Sequence, residues 1–149
     1  MLADPYEPTY FMKKNDLKRQ LSTAVAACQE KKAEELVILE LEKGSGAFTD
    51  YFVICTGTNP RQIQAISDEV DERLKQAGVL PAHTEGYKQG EWVLLDYVDF
   101  VVHVFSEKAR HFYDLERLWK SAKKLEISAL TARAKTKRPP TRRATKRPA

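Results

Sequence analysis

Residues 92–97 (Trp-Val-Leu-Leu-Asp-Tyr) and 100–105 (Phe-Val-Val-His-Val-Phe) are two apolar runs separated only by Val98-Asp99. A connection that short can join only antiparallel strands, so this stretch is committed to a β-hairpin before any other part of the chain is read. Strand alternation puts Trp92, Leu94 and Asp96 on one face and Val93, Leu95 and Tyr97 on the other. Both faces are partly apolar. One must meet a core, and the other is either covered by a helix or left as an apolar strip that marks an interaction site.

The hairpin organises what surrounds it. Before it runs a loop through Pro81, Gly86 and Gly90, and after it a helix is predicted from about Glu107 to Lys124. On that helix Phe112, Leu115 and Trp119 keep helical spacing and read as core, while Arg110, Tyr113 and Glu116 form a second stripe read as structural support. Upstream, Asn59-Pro60-Arg61-Gln62 supplies an N-cap, a proline at the first helical position and a glutamine at the third. The helix that follows carries Ile63, Ile66, Val70 and Leu74 on one stripe and stops at Gly78. Leu17, Leu21, Ala24, Val25 and Cys28 predict an earlier amphipathic helix starting at Asp16. Residues 35–41 and 51–56 read as strands separated by the turn Lys43-Gly44-Ser45-Gly46. The order helix, strand, strand, helix, strand, strand, helix implies an α/β or α+β fold, a mixed β-sheet packed with helices.

Charge divides the chain. Arg133, Lys135, Lys137, Arg138, Arg142, Arg143, Lys146 and Arg147 are eight of the 25 basic residues, leaving 17 against 21 acidic residues in positions 1–132. An acidic body with a basic arm disfavours a folded face that itself grips nucleic acid, whereas the arm suits RNA phosphates. Three regions are expected: an extended arm over 1–15, where Pro5 and Pro8 interrupt any period; one domain over 16–127; and a disordered basic tail over 128–149. No run approaches the roughly 20 apolar residues of a membrane span, and Asp4, Pro5, Glu7 and Pro8 break any secretory signal, so a cytoplasmic protein is expected. Cys28 and Cys55 lack Cys-x-x-Cys spacing and read as buried small hydrophobes.

Catalytic constellations are hard to find. Nucleotidyl transfer needs converging carboxylates, usually Asp-x-Asp on a strand after a Gly-Ser turn. Here Asp50 stands alone after Gly44-Ser45, with Phe52 where a second carboxylate belongs. Asp96 with Asp99, and Asp114 with Glu116, have spacings that do not converge on a metal. His103 sits mid-strand, where hydrogen bonding within the fold is the expected role, and His83 and His111 lack a neighbouring nucleophile motif. Neither a metal nor a cofactor is expected. Polar groups without catalytic geometry among large aromatics point instead to a docking surface.

Several blocks in order, Thr49-Asp50-Tyr51-Phe52-Val53-Ile54-Cys55-Thr56-Gly57-Thr58, Arg61-Gln62, Glu85-Gly86, 92–96, 101–105 and 110–119, resemble the ribosomal silencing factors, also called the Iojap-related family. The resemblance spans about 16–125. It implies a nucleotidyltransferase-like fold without the catalytic carboxylates and a non-enzymatic translational repressor. Such a protein would bind the large ribosomal subunit through the inter-subunit-face protein numbered fourteen and block joining of the small subunit. It further implies a partner surface of Glu85, Trp92, Leu94, Asp96, Tyr97 and Asp99. The family commonly carries glycine before Asp99; Val98, a β-branched residue that resists positive φ, leaves the geometry of this turn open. Two alternatives stand beside this reading: a nucleotide-binding or transferase enzyme, distinguished by magnesium-dependent nucleotide binding, and a general RNA-binding protein driven by its tail.

Overall fold

The computed structural model describes residues 6–128 and 130. Its elements are α1 (Tyr6–Glu30), β1 (Glu34–Glu40), β2 (Tyr51–Gly57), α2 (Pro60–Gln76), β3 (His83–Glu85), β4 (Trp92–Asp96), β5 (Phe100–Ser106), α3 (Glu107–Tyr113), α4 (Leu115–Leu118) and β6 (Lys123–Leu125). The strands form one mixed six-stranded sheet in the order β3-β4-β5-β2-β1-β6, parallel only between β2 and β5. This is the mixed, helix-covered sheet that the element order implied.

β2 and β5 lie at the centre of the sheet and are apolar on both faces, the composition a doubly covered strand requires. On one face α1 and α2 lay Leu21, Ala24, Val25, Cys28, Ile63, Ile66, Val70 and Leu74 over Val53, Cys55, Val93, Leu95, Tyr97, Phe100, Val102 and Val104. The opposite face is only partly roofed. Ala109, Leu115 and Trp119 from the α3–α4 region pack over Leu39, Phe52, Ile54, Val101 and Phe105.

The start of α2 follows its sequence closely. Asn59 Oδ1 accepts the Gln62 amide at 2.8 Å, and Gln62 Oε1 accepts the Thr58 amide at 2.7 Å. The Gln62 side-chain amide then reaches the Lys31 and Lys32 carbonyls at 3.0 and 3.1 Å, tying α2 to the end of α1.

Four expectations are corrected. Residues 6–15 belong to α1 and are not an extended arm, and Asp16 lies inside the helix. Pro8 does not break it, because it occupies the first turn, where amides have no intrahelical acceptor. The single helix from 107 to 124 is broken at Asp114, which takes a left-handed conformation (φ 45, ψ 58), and 123–125 form an edge strand beside β1. Asp tolerates that backbone region better than most residues. The break swings Phe112 out, so it is 78% exposed and not core, while Leu115 and Trp119 do pack inward. Finally, Ile127, Ser128 and Leu130 are helical, with Ile127 and Leu130 against the first core, so the domain runs past the boundary placed at 127.

Candidate docking face

The 98–99 turn sets the register of everything on this face. Tyr97 and Phe100 close the hairpin through a 2.9 Å bond from the Tyr97 amide to the Phe100 carbonyl. Leu94 then lies opposite His103 and Trp92 opposite Phe105. β3 adds Glu85 opposite Leu94 and His83 opposite Asp96, with Gly86 leading out of it. Gly86 has φ 81, and a Cβ there would stand 2.0 Å from the Trp92 carbonyl oxygen, so only glycine lets this loop lie against β4.

Val98 answers the question left open for the turn. It adopts φ 75 despite its branched side chain, with the Asp99 amide donating to the Tyr97 carbonyl at 2.9 Å across it. This three-residue, γ-type turn is a strained one. Asp96 Oδ1 supports it by accepting the Val98 amide at 2.8 Å.

Trp92 is the fixed point of the face. Its indole Nε1 donates to His103 Nδ1 at 3.0 Å, and its ring centroid lies 5.0 Å from Phe105 and 4.4 Å from Tyr113. Accepting at Nδ1 places the His103 proton on Nε2, which has no hydrogen-bond partner. Burial pushes the His103 pKa down to about 3, so the ring is neutral and serves as a spacer and acceptor. Phe52 meets His103 edge-on at 4.6 Å and Trp119 at 6.1 Å, continuing the aromatic layer across the sheet.

Arg110 holds the α3–α4 roof in place. Buried at 8% exposure, it donates from Nε and Nη2 to the two Glu116 carboxylate oxygens, both at 3.1 Å, and from Nη1 to Thr56 Oγ1 at 2.8 Å. That bidentate pair bridges the Asp114 break and the Thr56 bond pins α3 to β2, which together set Tyr113 against Trp92. The stripe of Arg110, Tyr113 and Glu116 therefore has the supporting role its spacing indicated.

Glu85, Trp92, Leu94 and Asp96 share one side of the sheet, Trp92, Leu94 and Asp96 being half-buried and Glu85 exposed. Asp99 is half-buried at the turn beneath them. Tyr97 does not belong with them: alternation turns it to the α1–α2 side, where it is buried and stacked on Phe100 at 5.0 Å. The sequence reading also missed Phe105, His103 and Tyr113 as partners of Trp92. The first two follow from the two-residue turn by counting outward along both strands; Tyr113 depends on the helix break and has no such signal. The eight basic tail residues from Arg133 to Arg147 lie outside the described residues.

Among the described residues no group of three or more His, Cys, Asp or Glu is placed to hold a metal ion. Cys28 and Cys55 are buried with their sulfurs 3.9 Å apart, and the hydrogen bond from Cys55 to Cys28 together with burial holds the Cys55 thiol well above its usual range, far from a reactive thiolate. The face presents a rigid tryptophan beside carboxylates on a half-open sheet.

Residues 14–149 match the family model described as ribosomal silencing factor during starvation, and the chain belongs to that family. Its role is accordingly ribosome silencing, a form of translational regulation. It is 41% identical over 102 residues to the ribosomal silencing factor of Bacillus subtilis, covering 68% of this chain and 86% of that protein. A crystal structure of a Bacillus halodurans protein, 40% identical, superposes with a TM-score of 0.64 over 72% of this chain and 97% of that one. A mouse protein named mitochondrial assembly of ribosomal large subunit protein 1 is 26% identical over 105 residues, covering 68% of this chain and 46% of that protein.

Proposed function

We propose that this chain silences ribosomes by binding the large subunit through its inter-subunit-face protein numbered fourteen and excluding the small subunit sterically. Glu85, Trp92, Leu94, Asp96 and Asp99 form the contact, and no catalysis is involved. The observation that carries this reading is the half-exposed Trp92, locked by His103, Phe105 and Tyr113 and flanked by Glu85 and Asp96. A pre-ordered aromatic anchor with an acidic rim is what a basic ribosomal protein would recognise, since the anchor loses little freedom on binding and the rim steers the encounter. The name of the mouse relative is consistent with the large subunit as partner. The basic segment 133–147 adds a salt-dependent contact to ribosomal RNA, and the protein works in the cytoplasm.

Co-sedimentation with isolated large and small subunits tests this. Wild type is expected to pellet with the large subunit alone, and Trp92→Ala to lose more than about 2 kcal/mol, roughly 30-fold in Kd. Equal binding to both subunits, indifferent to Trp92, would replace docking with tail-driven RNA binding.

A further inference from the structure

The acidic average of the folded part conceals a local reversal. Along 107–126 the exposed charges are Lys108, Arg117, Lys120, Lys123 and Lys124 against Glu107 and Glu126, whereas Asp114 and Glu116 are half-buried and Glu116 is engaged by Arg110. The same surface carries three of the chain's exposed large apolar side chains: Phe112 (78% exposed), Leu118 (69%) and Tyr113 (47%). Phe112 stands edge-on to Tyr113, centroids 4.9 Å apart, and Lys108 lies one helical turn before it on the same face of α3. The Asp114 break turns Phe112 away from the second core that Leu115 and Trp119 fill.

We infer that the α3–α4 surface is a second binding site, adjoining the Trp92 face through Tyr113, for unpaired RNA, with Phe112 as the stacking platform and Lys108, Arg117 and Lys120 as the groups that pair with phosphates. Aromatic faces interleaved with cations are the means by which proteins hold single-stranded nucleic acid without reading its sequence. Charge complementarity excludes a basic partner here, in contrast to the acidic rim at Glu85 and Asp96. The tail continues from Leu130 on this domain with eight further cations but no aromatic residue, so the folded surface provides the stacking that the tail lacks.

The test uses the full chain and a fluorescein-labelled oligouridine of about a dozen nucleotides, titrated across a series of salt concentrations. Phe112→Ala is expected to weaken binding about 5- to 160-fold, the range for losing one stacked base, with an unchanged salt slope because stacking releases no counterions. Lys108→Ala combined with Arg117→Ala is expected to lower the slope by about 0.7 for each phosphate that is no longer neutralised. Leu80→Ala, at an exposed apolar residue between α2 and β3, should change nothing. Because Phe112 is mostly exposed, its variant is expected to keep the wild-type circular dichroism. Oligouridine affinity indifferent to Phe112 would overturn the inference. So would a Phe112-dependent affinity that appears with an oligoglutamate peptide but not with RNA, which would mark an acidic-peptide site. Large-subunit docking through Trp92 is a distinct measurement, and its failure would leave this outcome unchanged.

Discussion

Replacing Val98 with glycine should stabilise the protein, although it removes a side chain and adds freedom to the unfolded chain. Val98 holds φ 75 at the centre of the 97–99 turn and is 60% exposed, so its side chain contributes little burial. A left-handed backbone costs an L-residue about 1–2 kcal/mol, and β-branching puts valine at the upper end. Glycine removes that strain and restores roughly 0.5–1 kcal/mol of unfolded-state entropy against folding. The difference is a net gain of about 1 kcal/mol, or roughly 3–5 °C in Tm for a domain of this size. Thermal and urea denaturation followed by far-UV circular dichroism would measure it, with an unchanged urea m-value confirming that the surface exposed on unfolding is the same. A Val98→Gly Tm at or below wild type would refute the reasoning, showing that the turn carries no strain.

Two further outcomes follow from the same geometry. His103 titrates near 3 in the fold against about 6.5 when unfolded, so between these values the unfolded state binds the extra proton and stability falls as pH drops, by about 1.4 kcal/mol per unit. Between neutral pH and ~5, wild type should therefore lose about 2 kcal/mol more than His103→Asn, measured by urea titration at each pH; equal losses would mean that His103 is protonated in the native state. Deleting 133–149 should weaken large-subunit binding more at low salt than at high salt, read by the same sedimentation assay, and an equal loss at both would rule out an electrostatic role for the tail.

Those parts of the fold governed by local chemistry were legible in the sequence. Asn59-Pro60-Gln62 determines the start of α2 through bonds within four residues, and the two-residue turn determines the β4–β5 register by counting. β3 and β6 were not legible because three residues show no period, and each exists only by pairing with a strand already in place. The Asp114 break was hidden because Phe112, Leu115 and Trp119 fit a continuous helix; Arg110, bonded to both Glu116 and Thr56, holds the broken form instead. For the docking face, alternation grouped Trp92, Leu94 and Asp96 but could not say which side α1 and α2 would cover. Tyr97 was misplaced for that reason: membership was carried over along the strand without regard to its direction, and the helical layer claimed Tyr97 together with Val93 and Leu95.

The parallel pairing of β2 with β5 has a kinetic consequence. Cys55 and Val104 are neighbours in space but about fifty residues apart along the chain, so the centre of the sheet can close only after α2 and the hairpin have brought its two halves together. Until that loop closes, β2 presents an unpaired apolar edge, the kind of surface that recruits other strands. Chains cut short before Phe100 would keep α1, β1, β2 and α2 and still lack the strand that blocks that edge. Such fragments should aggregate at concentrations where the intact protein stays in solution.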